Sequence, residues 1–284
     1  MKKQSLLPNS LHIRWDKYKA ELKNCRREFS EEAVHDFRVA ARRLLAFLDL
    51  LRVVMQDPGI KKTRRILKDQ LDNLDDLRNA QALLADISEA IHEAPELQPY
   101  QDYLQRREKK LLRTARKKIK SLEISTLSKR IKKLNQKLGA FMQADLDASL
   151  FSAVDEAYIT VIQRYELVDS SQPVTIHRVR LAFKKFRYMI EAIYPILHDF
   201  PAEHLKRMHD YQASMGDIQD LEVALQGLAD FEELASATYD PKPARLYYKE
   251  RLTLALSNYI EDKGEVITFW RSAPDQPIPE EKRK

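Results

Sequence analysis

The sequence predicts an all-α protein built as two antiparallel four-helix bundles, related by a pseudo-twofold axis and sharing a basic groove. Three observations predict it. Only five glycines occur in 284 residues, and strand-like runs of alternating Val, Ile and Thr are missing. Apolar residues recur instead at three- and four-residue steps over long segments, the spacing of a helix with one buried face. A single motif is also used twice. His35-Asp36-Phe37-Arg38-Val39-Ala40-Ala41-Arg42-Arg43 returns as His177-Arg178-Val179-Arg180-Leu181-Ala182-Phe183-Lys184-Lys185, at a constant offset of 142 residues.

In chain order, helices are expected at 9–28, 31–56, 58–93 with a break near Asp75–Arg78, 96–121 and 125–143. The second half repeats the plan at 149–168, 172–198, 201–236 with a break near Gly216–Asp217, and 241–262. Most of the twelve prolines, among them Pro58, Pro95, Pro173, Pro195, Pro201 and Pro241, fall where these helices begin or end. The expected division is a first bundle over 1–143, a second over 144–263, and a partly disordered tail over 264–284 that carries Trp270. Short loops between amphipathic helices favour antiparallel neighbours, hence one bundle per half.

The duplicated motif makes physical sense on a helix. Steps of three and four stack side chains on one face, so His35, Arg38 and Arg42 form one stripe, and His177, Arg180, Lys184 and Arg187 another. The opposite face is apolar in both copies. Phe37, Ala41, Leu44, Leu48 and Leu51 are matched by Val179, Phe183, Phe186, Ile190 and Ile193 at the same offset. A charged stripe on one helix is most simply a solvated face. Its recurrence with His and Arg in matching places points to a shared task. Read as solvent-facing, Arg38 and Arg180 are both expected to accept a charge reversal without loss of stability.

The repeat extends beyond this helix. Arg64-Arg65 matches Lys206-Arg207, Gln70 matches Gln212, and Arg107-Glu108-Lys109 matches Lys249-Glu250-Arg251, all at 142. Leu74-Asp75-Asp76-Leu77-Arg78-Asn79 resembles Met215-Gly216-Asp217-Ile218-Gln219-Asp220 one residue out of register. Three helices of each half thus carry basic residues in equivalent places.

The formal net charge of +6 is modest, but its distribution is not. Between Arg106 and Lys137 stand fourteen Lys or Arg against two acids, Glu108 and Glu123. Such a segregated positive field attracts polyanions. The single cysteine, Cys25, excludes an internal disulfide and a cysteine-based zinc site. Met1-Lys2-Lys3 is not followed by an apolar run of signal-peptide length, and no stretch approaches ~20 apolar residues, so a cytoplasmic protein without a membrane span is expected.

With these residues in view, the chain resembles the CHAD (conserved histidine α-helical domain) family from about Leu11 to Ile260. The resemblance is carried by Val34-His35-Asp36-Phe37-Arg38-Val39-Ala40-Ala41-Arg42-Arg43-Leu44 and Ile176-His177-Arg178-Val179-Arg180-Leu181-Ala182-Phe183-Lys184-Lys185-Phe186-Arg187-Tyr188. The family's later motif, roughly L-G-x-x-(R/H)-D, appears at Met215–Asp220. At Leu74–Asn79 it lacks both the glycine and the final aspartate. The resemblance implies two four-helix bundles around a basic groove that binds inorganic polyphosphate without enzymatic turnover. The basic positions it carries over are His35, Arg38, Arg42 and Arg43, with His177, Arg180, Lys184, Lys185 and Arg187 as their mates. Arg64, Arg65, Arg107, Lys109, Lys206, Arg207, Lys249 and Arg251 join them on the strength of the repeat. No cofactor and no metal site is expected. Granule targeting or regulation of polyphosphate-metabolising enzymes would be the biological setting.

The chemistry suits such a ligand. Polyphosphate is a flexible row of charges with no base or sugar to read. Arg grips two phosphate oxygens with a planar fork, and Lys acts as a point charge. Cationic neighbours disfavour protonation of the two histidines in the empty protein, and bound phosphate favours it. A metal reading fails because the histidines stand among cations rather than donors. For a phosphohydrolase or phosphohistidine enzyme there is no G-x-x-x-x-G-K-(S/T) sequence and no repeated His-Asp pair. Nucleic acid is the closest rival, since it offers the same phosphates. Against it, Phe37, Phe183 and Phe186 lie on the apolar face rather than among the cations, where bases would stack. Asp217 and Asp220 read as a helix break and cap, Cys25 as a bystander, and His12, His92, His198, His204 and His209 as residues without a repeat partner.

Overall fold

The computed structural model describes residues 6–140, 143–197, 200–235 and 239–279. His198 and the last five residues lie outside them. Among the described residues the chain forms ten α-helices and no strand, so the all-α expectation holds. They are α1 (Leu6–Glu28), α2 (Glu31–Met55), α3 (Pro58–Asp72), α4 (Asp75–Ala90), α5 (Gln98–Ser121), α6 (Ser125–Gly139), α7 (Gln143–Tyr165), α8 (Pro173–Ile193), α9 (Ala202–Glu232) and α10 (Lys242–Asp262).

Local sequence explains the main starts and stops. Ser30 caps α2 by accepting a hydrogen bond from the Ala33 amide at 3.1 Å, and Glu31 and Glu32 follow in the first turn, where a helix end carries partial positive charge. Asp57 caps α3 through the Gly59 amide, with Pro58 in the first turn. Pro173 likewise opens α8. Shifted by 142 residues, α1, α2, α3 with α4, and α5 fall on α7, α8, α9 and α10. The basic helix α6 has no such counterpart. Its equivalent stretch begins at 267, where the 3-10 turn Lys263–Thr268 ends, and as far as 279 it is bends, turns and irregular chain.

Of the two expected breaks one is present. The first-half break falls at Asn73–Leu74, immediately before Asp75 and so near Asp75–Arg78. Asp75 and Asp76 then occupy the first turn of α4, which suits their charge. The second-half break at Gly216–Asp217 is absent, and α9 runs unbroken from Ala202 to Glu232. Gly216 keeps an ordinary helical φ, so its lack of a side chain is not used for a turn.

Apolar residues gather into two cores, and both draw on either side of position 143. The larger joins α1, α2, α3, α6, α7, α8 and the start of α9, with Leu11, Tyr18, Phe47, Ile131, Val154 and Met208 fully or almost fully enclosed. The smaller joins α4 and α5 to the second part of α9 and the start of α10, through Ile87, Leu97, Tyr100, Leu228 and Tyr248. The two signature helices pack directly on each other, α1 covers α2, and α7 covers α8. Their apolar faces are buried as the spacing predicted, from Phe37, Ala41, Leu44, Leu48 and Leu51 to Val179, Phe183, Phe186, Ile190 and Ile193. Each fully buried large side chain contributes about 1.5–3 kcal/mol, so this seam orients the opposite, cationic faces.

The tail holds a surprise. Phe269 and Trp270 are core residues, packed with Phe183, Phe186, Phe200 and Tyr211. Trp270 donates to Asp155 at 2.8 Å, and Arg271 pairs with both oxygens of that carboxylate at 2.9 and 2.6 Å. Cys25 is fully buried, and burial pushes its thiol up to about 11. Among the described residues no helix is long and apolar enough to cross a membrane.

Candidate functional site

The cationic faces of α2 and α8 open into one cavity of about 490 Å³, whose other walls are α4, α9 and α10. Six cations line it: Arg38 and Arg42 from α2, Arg78 from α4, Arg180 and Lys184 from α8, and Arg251 from α10. Four carboxylates line it as well: Asp75 and Asp86 from α4, Asp217 and Asp220 from α9. The seam between α2 and α8 sets this geometry, because helices that bury their apolar faces together must present their polar stripes on adjoining sides.

Two of the six cations are engaged within the protein. Arg38 is only 3% exposed. It donates to the Leu71 carbonyl at 3.3 Å and to Asp75 at 2.7 Å. Its expected solvent exposure is therefore corrected: Arg38 is buried and bonded to the end of α3 and the start of α4. Arg251 pairs with Asp86 at 2.8 Å, and the Tyr248 hydroxyl donates to the other oxygen of that carboxylate at 2.9 Å. Arg42, Arg78, Arg180 and Lys184 form no ion pair with any described residue and make no side-chain hydrogen bond there. The Arg180 Nε is buried without a partner. Its guanidinium lies over Gly216, where a Cβ would stand 3.7 Å from both Nε and Nη2.

The electrostatics follow from this crowding. Burial, then Arg42, Arg180, Arg187 and Arg38, pull the Lys184 ammonium down to about 7. For Arg38, burial and Arg42 outweigh the support of Asp75. The acids shift the other way. Enclosure and Asp220 raise Asp217 against the pull of Arg251 and Arg180, and enclosure raises Asp220 against Arg180 and Arg78. Half-buried His177 is lowered by burial and by Arg180, with Gln219 opposing, and its Nδ1 is buried without a partner. At His177 burial is the larger cause, and one cationic neighbour, Arg180, adds to it. His35 is exposed and does not line the cavity.

A family model described as "CHAD domain" matches residues 10–229. The chain belongs to the CHAD domain family. Among solved structures, the CHAD domain from the plant Ricinus communis superposes with a TM-score of 0.63 at 19% identity, covering 97% of this chain and 94% of that one. PptA from Streptomyces chartreusis gives a TM-score of 0.63 at 16% identity, over 94% of this chain and 96% of its own. At these identities the likeness concerns the fold. No curated protein matches the chain.

The cavity of this CHAD domain gathers five of the residues singled out from sequence, Arg38, Arg42, Arg180, Lys184 and Arg251. The others stand elsewhere. Arg43, Arg65, Arg107, Lys109, Lys185, Lys206 and Lys249 are exposed and outside the cavity lining. Arg64 pairs with Asp49 at 2.5 Å. Arg187 is buried, donating to Gln212 at 3.0 Å and pairing with Glu191, and reaches the cavity only through its charge on Lys184. Arg207 pairs with Glu265 at 2.7 Å and stacks on Phe269. Sequence reasoning missed Arg78. It stands at the (R/H) position of the motif L-G-x-x-(R/H)-D, so the signal was there in the degenerate first-half copy. Asp217 and Asp220, read as a break and cap, are mid-helix residues of α9 that face the cavity. Nothing in the sequence pattern marked Asp86, whose role depends on α10 arriving from 165 residues away.

Proposed function

We propose that this CHAD domain binds inorganic polyphosphate in the cavity between α2, α4, α8, α9 and α10, as a non-enzymatic module for granule targeting or regulation of polyphosphate metabolism. One observation carries the reading: four cations without an ion-pair partner among the described residues, Arg42 and Arg78 from the first half and Arg180 and Lys184 from the second, converge on one cavity. Unpaired charges crowded in an enclosed space repel one another, and an anionic ligand removes that repulsion while satisfying the free donors. Carboxylates hold only Arg38 and Arg251, so they orient two of the cations and leave the others available. Membership of a family associated with polyphosphate binding supports the choice of anion. Aromatic placement argues for a ligand without bases, because Phe37, Phe183 and Phe186 are wholly enclosed in the core.

The test is a calorimetric titration of the full chain with long-chain polyphosphate, single-stranded DNA of matched charge, and short phosphates. Polyphosphate is expected to bind tightest at physiological salt, at one site per chain, and to weaken steeply with salt, by analogy with a slope of roughly −0.7 to −0.9 per neutralised nucleic-acid phosphate. Equal binding of DNA across the salt range would favour a nucleic-acid protein. Incubation with polyphosphate and Mg²⁺ is expected to leave chain length unchanged. Phosphate release that disappears in a His35→Ala, His177→Ala double variant would make the protein an enzyme.

A further inference from the structure

We propose that Lys184 is a proton-gated ligand of this cavity: in the empty protein it gives up its proton as the solution turns basic, and it takes one back from solvent onto Nζ when a polyphosphate segment enters. The inference rests on the polyphosphate reading above and adds its regulation by pH.

The geometry is a cluster of cations around an amine that has no counter-ion. From α2, Arg38 and Arg42 act on Lys184, and from its own helix Arg180 and Arg187. Across the cavity stand Arg78 of α4 and Arg251 of α10. The four carboxylates that share the space are directed elsewhere. Asp75 is bonded to Arg38, and Asp86 to Arg251 and Tyr248. Asp217 and Asp220 of α9 act on Arg180, with Arg251 and Arg78 as their other cationic neighbours. Glu191, one turn further along α8 than Arg187, is occupied by Arg187. Helix α7, packed on α8 through Tyr158 and Phe186, contributes nothing to the cavity lining.

The repeat sharpens the point. The position equivalent to Lys184 in the first half is Arg42, and the two line the same cavity. A guanidinium stays charged at any physiological pH, whereas a lysine loses its proton readily when desolvated among like charges. The two halves therefore supply one permanent and one switchable cation at equivalent places. With the ammonium pulled down to about 7, the empty cavity sheds one charge in neutral to mildly basic solution. Entering phosphates supply the missing counter-ions, which favours the ammonium again. The sign follows: binding consumes a proton above about pH 7 and none well below it, so affinity falls as pH rises. His177 titrates lower, since it is depressed from an ordinary histidine value by burial and by Arg180.

The experiment measures protons directly. The full chain is titrated with long-chain polyphosphate, which has few titrating ends, in buffers of different ionisation enthalpy from about pH 6 to about pH 9. Uptake is expected to be small at the acid end and to approach one proton near pH 8, with affinity falling by up to about tenfold per pH unit above pH 7. Lys184→Arg, permanently charged, and Lys184→Gln, permanently neutral, should both abolish that slope, the first at high affinity and the second at low affinity. His177→Gln should retain it above about pH 7.5. Binding without proton uptake, or uptake that survives in both Lys184 variants, overturns the gate and leaves the polyphosphate site standing. No polyphosphate binding at any pH overturns both.

Discussion

Arg38 and Arg180 stand at the same position of a repeated motif and line the same cavity, yet only Arg38 is tied down. Its guanidinium bonds Asp75 at 2.7 Å and the Leu71 carbonyl at 3.3 Å. At the 142-residue offset Asp75 falls on Asp217, and in the motif alignment, one residue out of register, on Gly216; Asp217 makes no ion pair with Arg180. The backbone accounts for the difference. Asp75 stands in the first turn of α4, after a break that turns the chain towards α2, while Asp217 is held mid-helix in α9.

That asymmetry separates stability from binding. Arg38→Ala strands a carboxylate and a backbone carbonyl, and is expected to cost about 1.5 kcal/mol, the low end for a charged hydrogen bond because Asp75 remains half exposed. Arg180→Ala removes no bond within the protein and should leave urea unfolding nearly unchanged while weakening polyphosphate binding. Equal destabilisation by both, read from unfolding midpoints, would contradict the structural difference.

Gly216→Ala should stabilise the protein. The position is inside a continuous helix with no positive φ, and a Cβ there meets only Arg180, at ordinary contact distance. Alanine is favoured over glycine in a helix interior by about 0.5–1 kcal/mol. A lower unfolding midpoint would mean that α9 bends or breaks at this glycine in solution.

The tail should be essential to the fold. Trp270→Ala removes an enclosed indole from an aromatic cluster and is expected to cost about 3–5 kcal/mol. Asp155→Ala leaves the Trp270 N–H and the Arg271 guanidinium unpaired in a mostly buried place, and should cost on the order of 3–5 kcal/mol. Thermal unfolding that is insensitive to both changes would show that residues beyond Thr268 do not dock.

Cys25 should be inert in the native state. With its thiol pushed up to about 11, roughly one molecule in a thousand carries a thiolate near pH 8, and the sulfur is fully buried. Alkylation by iodoacetamide is expected only with unfolding, so its rate should rise with urea. Rapid labelling without denaturant would mean that α1 opens readily from the core.

The site was partly legible before any coordinates. Repetition marked Arg38, Arg42, Arg180 and Lys184, which line the cavity, because steps of three and four place them on the polar face of each signature helix. The same repeat also picks out Arg64, Arg187 and Arg207, which pair with Asp49, Glu191 and Glu265 and lie outside the cavity lining. Only the first and last of these partners come from other elements or distant turns, which a periodic pattern does not register. Arg78 was within reach of the motif but lay in its weaker copy.

What the sequence determined by itself is everything that depends on near neighbours along the chain: the helices, their caps at Ser30 and Asp57, the buried faces of α2 and α8, and the 142-residue repeat. Those follow from three- and four-residue spacing and from local hydrogen bonding. The tertiary structure decided which cations share a cavity, which are paired with carboxylates, and how strongly like charges and burial act on Lys184. Those properties depend on distances between helices far apart in sequence and on the loss of water between them, so no single segment encodes them. Lys184 and Arg42 read as interchangeable basic residues in the chain. Enclosed in one cavity with the other guanidiniums, the Lys184 ammonium is pulled down to about 7 by burial and like charges, which neither residue's place in the motif foretells.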